Sequence, residues 1–369
     1  MELSGGDCCI ISGGSGALGV SYLPSLEKVL PPGTSIILLT RNEARLRAAL
    51  PPSQRGDISR HVYTCDITDE ASLLSLVRIL TKQKSYTVIH AAADVSWSKS
   101  FDDMYPVNVG STLNLGMLAD ALDKKAGFIY VSTAFTHRHA QHFNNAYEKT
   151  KHLAEVELSQ RFPSLNLSTF SFSLMIGARK TGEISRFHGI YPLLKIMALY
   201  NPPFFVGAPD NRMDLVPIDW VVDELTCMTS KKIAGQTIGD VVISAGEHGL
   251  KLSDLATKVD TLIGGFRRSL GLEANDATPI ISRRRYDFLK RSVKNWETDT
   301  SDISKMLKKW NRVANFLAYY TDYLESCDAQ PIKNPVFATP EPETYIDAAF
   351  DYWLQSEKDA LTRSLLLRQ

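Results

Sequence analysis

Through the first 180 residues, short apolar runs alternate with segments whose apolar residues recur at helical spacing. Asp7–Ser12, Ser35–Thr40, His61–Thr64, Thr87–Ala91 and Gly127–Ser132 are runs of strand length. Ala17–Leu30, with Leu18, Tyr22, Leu23, Leu26 and Leu30 on one side, is predicted to be a helix. So are Asn42–Leu50, Asp69–Thr81, which opens on two acidic residues, and Thr112–Leu122. This alternation predicts an α/β fold: a doubly wound parallel sheet of Rossmann type, with helices on both faces. After about residue 180 the pattern loosens into an insertion rich in aromatics and prolines, over about 180–215. Met213–Cys227 reads as a strand end and a helix, Val241–Ala245 as a late strand and Ser253–Ile263 as a helix. From Arg283 the chain reads as helical without strands. The expected division is a sheet domain over 1–245 and a smaller, mostly helical C-terminal lobe over 246–369.

The run between the first strand and first helix carries the first chemistry. Gly13-Gly14-Ser15-Gly16-Ala17-Leu18-Gly19 has glycines three apart. Gly13 permits a tight turn out of the strand, Gly16 lets backbone approach a pyrophosphate, and Gly19 lets the helix pack on the sheet. The helix N-terminus then offers free N–H groups and the positive end of its dipole to phosphates. A tight turn without ligand has the same glycines, but the strand–loop–helix setting points to a dinucleotide.

The end of the second strand separates two cofactors. Enzymes that hold NAD often place an acid there, for the ribose 2′-hydroxyl. This chain has Arg41, which suits the 2′-phosphate of NADP(H). Arg45, one turn on, is either a second phosphate contact or a solvated side chain. Asp66, followed by Ile67 after the third strand, either accepts from the adenine amino group or serves as an acid before a helix. Ala91, Ala92 and Ala93 follow the fourth strand, where small side chains let a cofactor lie across the strand ends.

Thr133 ends the fifth strand, and Tyr147 and Lys151 open the next helix four residues apart, on one face. An ammonium beside a phenol favours phenolate, which predicts a lowered Tyr147 pKa and a proton donor usable near neutral pH. Lys151 also suits the nicotinamide ribose hydroxyls, Thr133 a substrate carbonyl oxygen, and Asn108, in the preceding helix, a water near Lys151.

Together GGSGALG, CDITD, HAAADVSW, NVGSTLNL, YVSTAF, YEKTK and VPIDWVVDE resemble, in order, the extended short-chain dehydrogenase/reductases over about Asp7 to Ala245. HAAADVSW, YVSTAF, YEKTKHLAE and VPIDWVVDEL resemble most the thioester reductase branch, which includes fatty acyl-CoA reductases and male-sterility-type proteins. The resemblance implies NADPH, a catalytic set of Thr133, Tyr147 and Lys151, and an acyl thioester reduced to aldehyde or alcohol. It makes the substrate an acyl group on coenzyme A or on a separate carrier protein. The chain departs from the branch at Ser171-Phe172-Ser173, where an Arg-Pro-Ser is common. Its tail resembles fatty acyl reductases only in FLAYYTDYLES. Another extended enzyme, a hydroxysteroid-type dehydrogenase or a nucleotide-sugar epimerase or dehydratase, is the alternative; those commonly hold NAD, which Arg41 argues against. A cofactor-binding sensor would be expected to have lost Tyr147 or Lys151.

Composition narrows the picture further. The 41 basic and 41 acidic residues balance, so no nucleic-acid partner is expected. The five cysteines lack zinc-ligand spacing and read as small core hydrophobes in a reducing, cytoplasmic compartment. No metal is expected; His137, His139 and His142 share a loop without acidic or cysteine partners. No secretory leader or membrane span is visible at the sequence level. Tyr191–Val206 suits peripheral membrane contact or the lining of an apolar pocket. The aromatics Phe187, Tyr191, Phe204 and Phe205 suit either a cover for an acyl chain or a second core. Asp219 is read as a helix cap or part of the substrate side. Arg267-Arg268 and the basic stretch 283–294 are read as a solvated face or a phosphate-docking patch.

Overall fold

The computed structural model describes residues 6–52, 60–80, 83–122, 127–137, 143–294, 313 and 337–367. Seven parallel strands form the central sheet: β1 Asp7–Ser12, β2 Ser35–Thr40, β3 Arg60–Thr64, β4 Ser85–His90, β5 Gly127–Thr133, β6 Asn166–Phe172 and β7 Val241–Ile243. Their order is β7-β6-β5-β4-β1-β2-β3. The chain winds one way from β1 to β3, then returns to β4 and winds the other way. The reversal lies between β1 and β4, where an open α/β sheet leaves a crevice at its carboxyl ends.

Alternate residues of each strand feed different cores, as a sheet covered on both faces requires. Cys9, Ile11, Ile36 and Leu38 join the core beneath helix α1 (Ala17–Val29). Cys8, Ile10, Ile37 and Leu39 join the opposite one, with Leu73, Leu76 and Leu80 of helix α3 (Glu70–Leu80). Between them lies α2 (Glu43–Ala49), capped by the Asn42 side chain accepting from Arg45 N–H at 2.9 Å.

The predicted helix at Thr112–Leu122 begins earlier than its apolar spacing indicates. Helix α4 (Phe101–Tyr105) runs through a π-helical turn at Pro106–Gly110 into α5 (Ser111–Ala121). The wider turn shifts the apolar periodicity and places Asn108 inside the protein. The sequence pattern also passes over β6, whose polar serines and threonine are buried: Ser168 Oγ donates to Ile238 O, and Thr169 N–H donates to Asp240.

Beyond α6 (Ala146–Arg161) come α7 (Tyr191–Tyr200), α8 (Ile218–Ile233), α9 (Leu252–Ser269), α10 (Arg283–Lys294) and α11 (Ile346–Leu366). Helix α8 packs on α1 and α7 on α9, while α11 contacts both α7 and α9. Phe350, Trp353 and Leu361 of α11 belong to the same apolar core as Tyr22 and Leu26 of α1.

Several weaker sequence expectations meet definite outcomes. Tyr191, Leu194, Met197, Phe205 and Val206 are buried, so the apolar side of 191–206 faces the interior. Phe187 packs on Tyr191, ring centres 4.9 Å apart, and the Tyr191 hydroxyl accepts from Gly177 N–H. Tyr191 and Phe205 form core, Phe187 packs against it, and Phe204 packs on a small separate cluster with Tyr286. Arg267 is buried and donates to the carbonyls of Ala198 and Glu273, and Arg268 pairs with Asp276, so neither joins a free basic patch. Asp219 accepts from Arg179 N–H and Nε rather than capping α8. Cys8, Cys9 and Cys65 are buried, and burial pushes Cys8 up to about 12 and Cys65 to about 11. Cys327, His139, His142 and the FLAYYTDYLES segment lie outside the described residues. No described helix is long and apolar enough to cross a membrane.

Candidate active site

A cleft of about 670 Å³ opens along the carboxyl ends of the strands. Its wall includes Gly13, Gly16, Ala17, Leu18 and Gly19, then Arg41, Ala91 and Ala93, and then Thr133, Tyr147 and Lys151. The residues expected for phosphate, ribose and carbonyl therefore border one cleft. Gly14, Ser15, Asp66, Ile67, Ala92 and Asn108 are not among its lining residues.

The glycines differ in what they do. Gly13 has φ +82°, and a Cβ there would lie 2.6 Å from Ala91 C and Ala92 N. The turn out of β1 thus presses against the segment leaving β4. A Cβ at Gly19 would collide with Gly13 O and lie 2.6 Å from Gly14 Cα, so α1 can start against its own loop only without a side chain. Gly16 is different. It is the N-cap of α1, offers no side-chain cap, and a Cβ there would meet only Gly13 O, at 3.2 Å. No acidic residue stands in the first turn of α1. The helix start is bare of competing side chains on the cleft side, which fits a pyrophosphate.

Arg41 is exposed on the cleft rim just after β2; Arg45 is exposed and not part of the lining. Asp66 Oδ1 accepts from both Thr68 N–H and Thr68 Oγ1, a local turn before α3, whose first turn is served by Asp69. That geometry fits the helix-proximal alternative for Asp66.

β1 and β4 are tied together below the cleft. The Ser12 hydroxyl lies 2.7 Å from His90 Nδ1, and His90 Nε2 lies 2.9 Å from Thr112 Oγ1, which donates to Asn108 O. The partners assign the Nε2–H tautomer, since the Thr112 proton is already committed. Burial, with Lys151 nearby, lowers His90 to about 3 and keeps it neutral.

Lys151, Tyr147 and Thr133 meet where α6 crosses the end of β5. Asn145 caps α6 by accepting from Glu148 N–H. Tyr147 is half-buried, and its phenol faces the Thr133 side chain, which favours the phenolate. Lys151 is buried; its Nζ donates to Val131 O at 2.7 Å and lies 4.0 Å from the centre of the Tyr130 ring. The expected lowering of the Tyr147 pKa is not what this geometry gives. Burial drives the phenol up, with the Glu148 and Glu155 carboxylates pushing the same way. Lys151 is itself lowered to about 7 by burial, with Glu155 acting against that fall. Asn108 acts as a strut: Oδ1 accepts from Asp94 N–H, and Nδ2 donates to Asp94 O and Thr150 Oγ1. Both its donors are committed to protein, unlike the water-holding role expected of it.

Beyond β5 the cleft is lined by Trp97, Phe135, Phe172, Met175, Ile184 and Pro192, with Arg186 and His188. None of the four aromatics expected to cover an apolar chain is among them. Ser173, in the divergent Ser-Phe-Ser, lines the cleft and donates to the buried Asp214, which also accepts from Ser244 and Ala245 N–H. His137 lies 3.2 Å from Ser171 Oγ, and burial lowers its pKa. No group of three or more metal-ligating side chains occurs among the described residues. Sequence reading missed Glu155, though its signal was available: it stands four residues after Lys151, on the same helix face.

Comparison with known proteins agrees with this layout. The chain is 26% identical over 214 residues to an NRPS-like oxidoreductase, fscA, of Fusarium equiseti, covering 55% of this chain and 18% of that protein. The chain thus spans under a fifth of that relative's length. A thiolation-reductase di-domain from an archaeal non-ribosomal peptide synthetase shares the fold, with a TM-score of 0.61 at 16% identity, over 97% of this chain and 77% of that one. The terminal R domain of the myxalamid PKS-NRPS pathway matches at 0.60 and 14%, over 97% and 91%. The Bordetella bronchiseptica enzyme WbmF in complex with NAD+ matches at 0.57 and 16%, over 97% and 95%. The family model described as male sterility protein matches residues 11–144 and 136–225, more than half of the chain. Those segments carry the glycine loop, Thr133, Tyr147 and Lys151, and the chain belongs to the male sterility family of extended short-chain dehydrogenase/reductases.

Proposed function

We propose that this chain is an NADPH-dependent reductase of acyl thioesters. The observation that carries the reading is the meeting of the Thr133 and Tyr147 side chains above Lys151, in the cleft that also holds the bare start of α1. The fscA relative and the two reductase-domain neighbours support a thioester substrate, delivered by coenzyme A or a separate carrier protein. Arg41 supports NADP(H): an exposed guanidinium at the end of β2 suits a 2′-phosphate and gives no acceptor to a hydroxyl.

Gly13, Gly16 and Gly19 would hold the pyrophosphate, Arg41 the 2′-phosphate, and Lys151 the nicotinamide ribose. When bound, the dinucleotide supplies the hydride. Thr133 and Tyr147 grip the carbonyl oxygen and stabilise charge as it develops there. Tyr147 gives that oxygen its proton, and Lys151 eases the loss of it by favouring phenolate. The raised Tyr147 pKa keeps the phenol protonated until the oxygen becomes basic enough to take the proton. Loss of the thiol from the resulting tetrahedral carbon leaves an aldehyde. The apolar wall from Trp97 to Pro192 shields the acyl group from water.

The test is cofactor oxidation by purified protein on acyl-CoA and acyl-pantetheine esters of increasing chain length, with NADPH and NADH in parallel. Oxidation of NADPH with release of one thiol per turnover is expected. Turnover with NADH alone, or on a nucleotide sugar and no thioester, would overturn the reading.

A further inference from the structure

We infer that Glu155 is a positioning residue of this site, pinning the turn that presents Thr133 and supplying the counter-charge that keeps Lys151 an ammonium. The inference rests on the roles just given to Thr133, Tyr147 and Lys151.

The helix register comes first. Tyr147, Lys151 and Glu155 are spaced by four, so they form a column on the face of α6 that meets β5. Each grips a different part of the strand end. Tyr147 faces Thr133, Lys151 donates to Val131 O, and Glu155 Oε1 accepts from the hydroxyls of Ser132 and Thr136. Ser132 and Thr136 flank Thr133 on the two sides of the bend into the 3-10 turn Ala134–His137. Thr136 also donates to Thr133 O at 2.9 Å, against 3.1 Å to Glu155. A hydroxyl has one proton, so Glu155 and the Thr133 carbonyl share it. The carboxylate therefore fixes where the backbone of Thr133 sits and, through it, where the Thr133 hydroxyl points.

Charge is the second part. Lys151 is buried, and Val131 O and the Tyr130 ring give it dipoles but no full negative charge. The groups facing this pocket come from every packed element: His90 from β4, Tyr130 from β5, His137 after it, Tyr147 and Glu148 on α6, and Asp240 before β7. Set beside these, Glu155 on α6 is the group that favours the charged lysine. Burial raises Glu155 to about 7, with Asp240 pushing the same way and Ser132, Lys151 and Thr136 opposing, so Glu155 gains its charge across the range in which Lys151 loses its own. A glutamine at 155 would keep the shape and an acceptor oxygen but not the charge.

The experiment compares wild type with Glu155→Gln and Thr136→Val. Dinucleotide affinity, kcat/KM on a thioester and Tm are each measured from pH 5.5 to 9. Lys151 is an ammonium below its pKa, so affinity and kcat/KM fall as pH rises through it. In Glu155→Gln that falling limb is expected to move to lower pH by about one unit, giving a loss of roughly tenfold at the alkaline end and much less at the acid end. Thr136→Val keeps the charge, so it is expected to lower kcat at every pH without moving the limb. A Glu155→Gln protein with the wild-type profile, or with a uniform loss that only follows Tm, overturns the inference. Should Glu155→Gln not fold, a moved limb in Thr136→Val, with Glu155 intact, overturns the division of labour. Binding profiles need no turnover. A wild type that binds dinucleotide yet reduces no thioester refutes the reaction, while its binding profile still decides the role of Glu155.

Discussion

Three of the loop's four glycines, Gly13, Gly14 and Gly16, should respond in three different ways when each is replaced by alanine. At Gly13 the backbone sits at φ +82°, and a Cβ would stand 2.6 Å from two backbone atoms of the β4 exit. The left-handed conformation costs about 1–2 kcal/mol for a residue with a Cβ. Overpacking against atoms that cannot swing away adds about 1–3 kcal/mol. Gly13→Ala should therefore lose about 3 kcal/mol and lower Tm by roughly 6–12 °C. At Gly14 the φ is ordinary and the nearest atom, a methyl of Leu46, lies 3.4 Å away, so Gly14→Ala should stay within about 1 kcal/mol of wild type. At Gly16 the only close neighbour is Gly13 O at 3.2 Å, so stability should change little, while the new methyl projects where a pyrophosphate would lie. The assay is a thermal melt of each variant with and without dinucleotide, paired with a fluorescence titration of NADPH. Gly16→Ala should keep its melting point but lose most of the shift on adding cofactor. Equal destabilisation of Gly13→Ala and Gly14→Ala would refute the reasoning from close approach. A Gly16→Ala protein with wild-type affinity would refute the placement of the pyrophosphate.

Further outcomes are expected elsewhere. Tyr147→Phe should lower kcat by about 10²–10⁴-fold and leave NADPH affinity within a few-fold of wild type, read by steady-state kinetics and titration. Arg41→Gln should weaken NADPH binding about ten- to a hundredfold and leave NADH unchanged, because it removes a charge-assisted bond to phosphate alone. His90 is lowered to about 3 in the fold against an ordinary value of 6.5, so below pH 6.5 the unfolded chain takes up a proton that the fold refuses. Its stabilising contribution is complete above pH 6.5 and falls by about 2 kcal/mol at pH 5. His90→Asn should flatten that part of the stability–pH curve, measured by urea titration. Asp214→Asn, which breaks a buried carboxylate from two hydroxyls and a backbone N–H, should cost about 2–4 kcal/mol in the same assay.

The doubly wound sheet was legible because β1, β2, β4 and β5 are built on apolar runs between turn signals, and α1 and α3 each carry one apolar stripe. β6 hid because its Ser168, Thr169 and Ser171 are buried through side-chain and backbone bonds that no periodicity records. The start of α4 hid because a π-helical turn breaks the 3.6-residue rhythm ahead of Ser111. Within the site, the glycine spacing, Arg41, Thr133, Tyr147 and Lys151 could be picked out because local motif and element boundaries place them. The behaviour of the charges could not. Whether Lys151 depresses Tyr147 depends on the burial of both, and burial is set by Tyr130, Glu155 and the neighbouring strands. The apolar wall was misjudged for a similar reason. Phe187 and Tyr191 look available in a loose segment, yet they turn into the core and leave Ile184, Arg186 and Pro192 to face the cleft.

The last long helix sets a limit on how this protein can be divided. Tyr345, at its start, donates its hydroxyl to Leu215 O, Trp353 is 1% exposed, and Phe350 shares a core with Tyr22 at the other end of the chain. A chain cut after the sheet would leave those aromatic sockets open to water and greasy on the outside. Grafting the dinucleotide half onto another enzyme, or shuffling it with a relative's, would therefore succeed only if the distant helix travelled with it, because in this molecule the piece that closes the core lies far from the sheet in sequence.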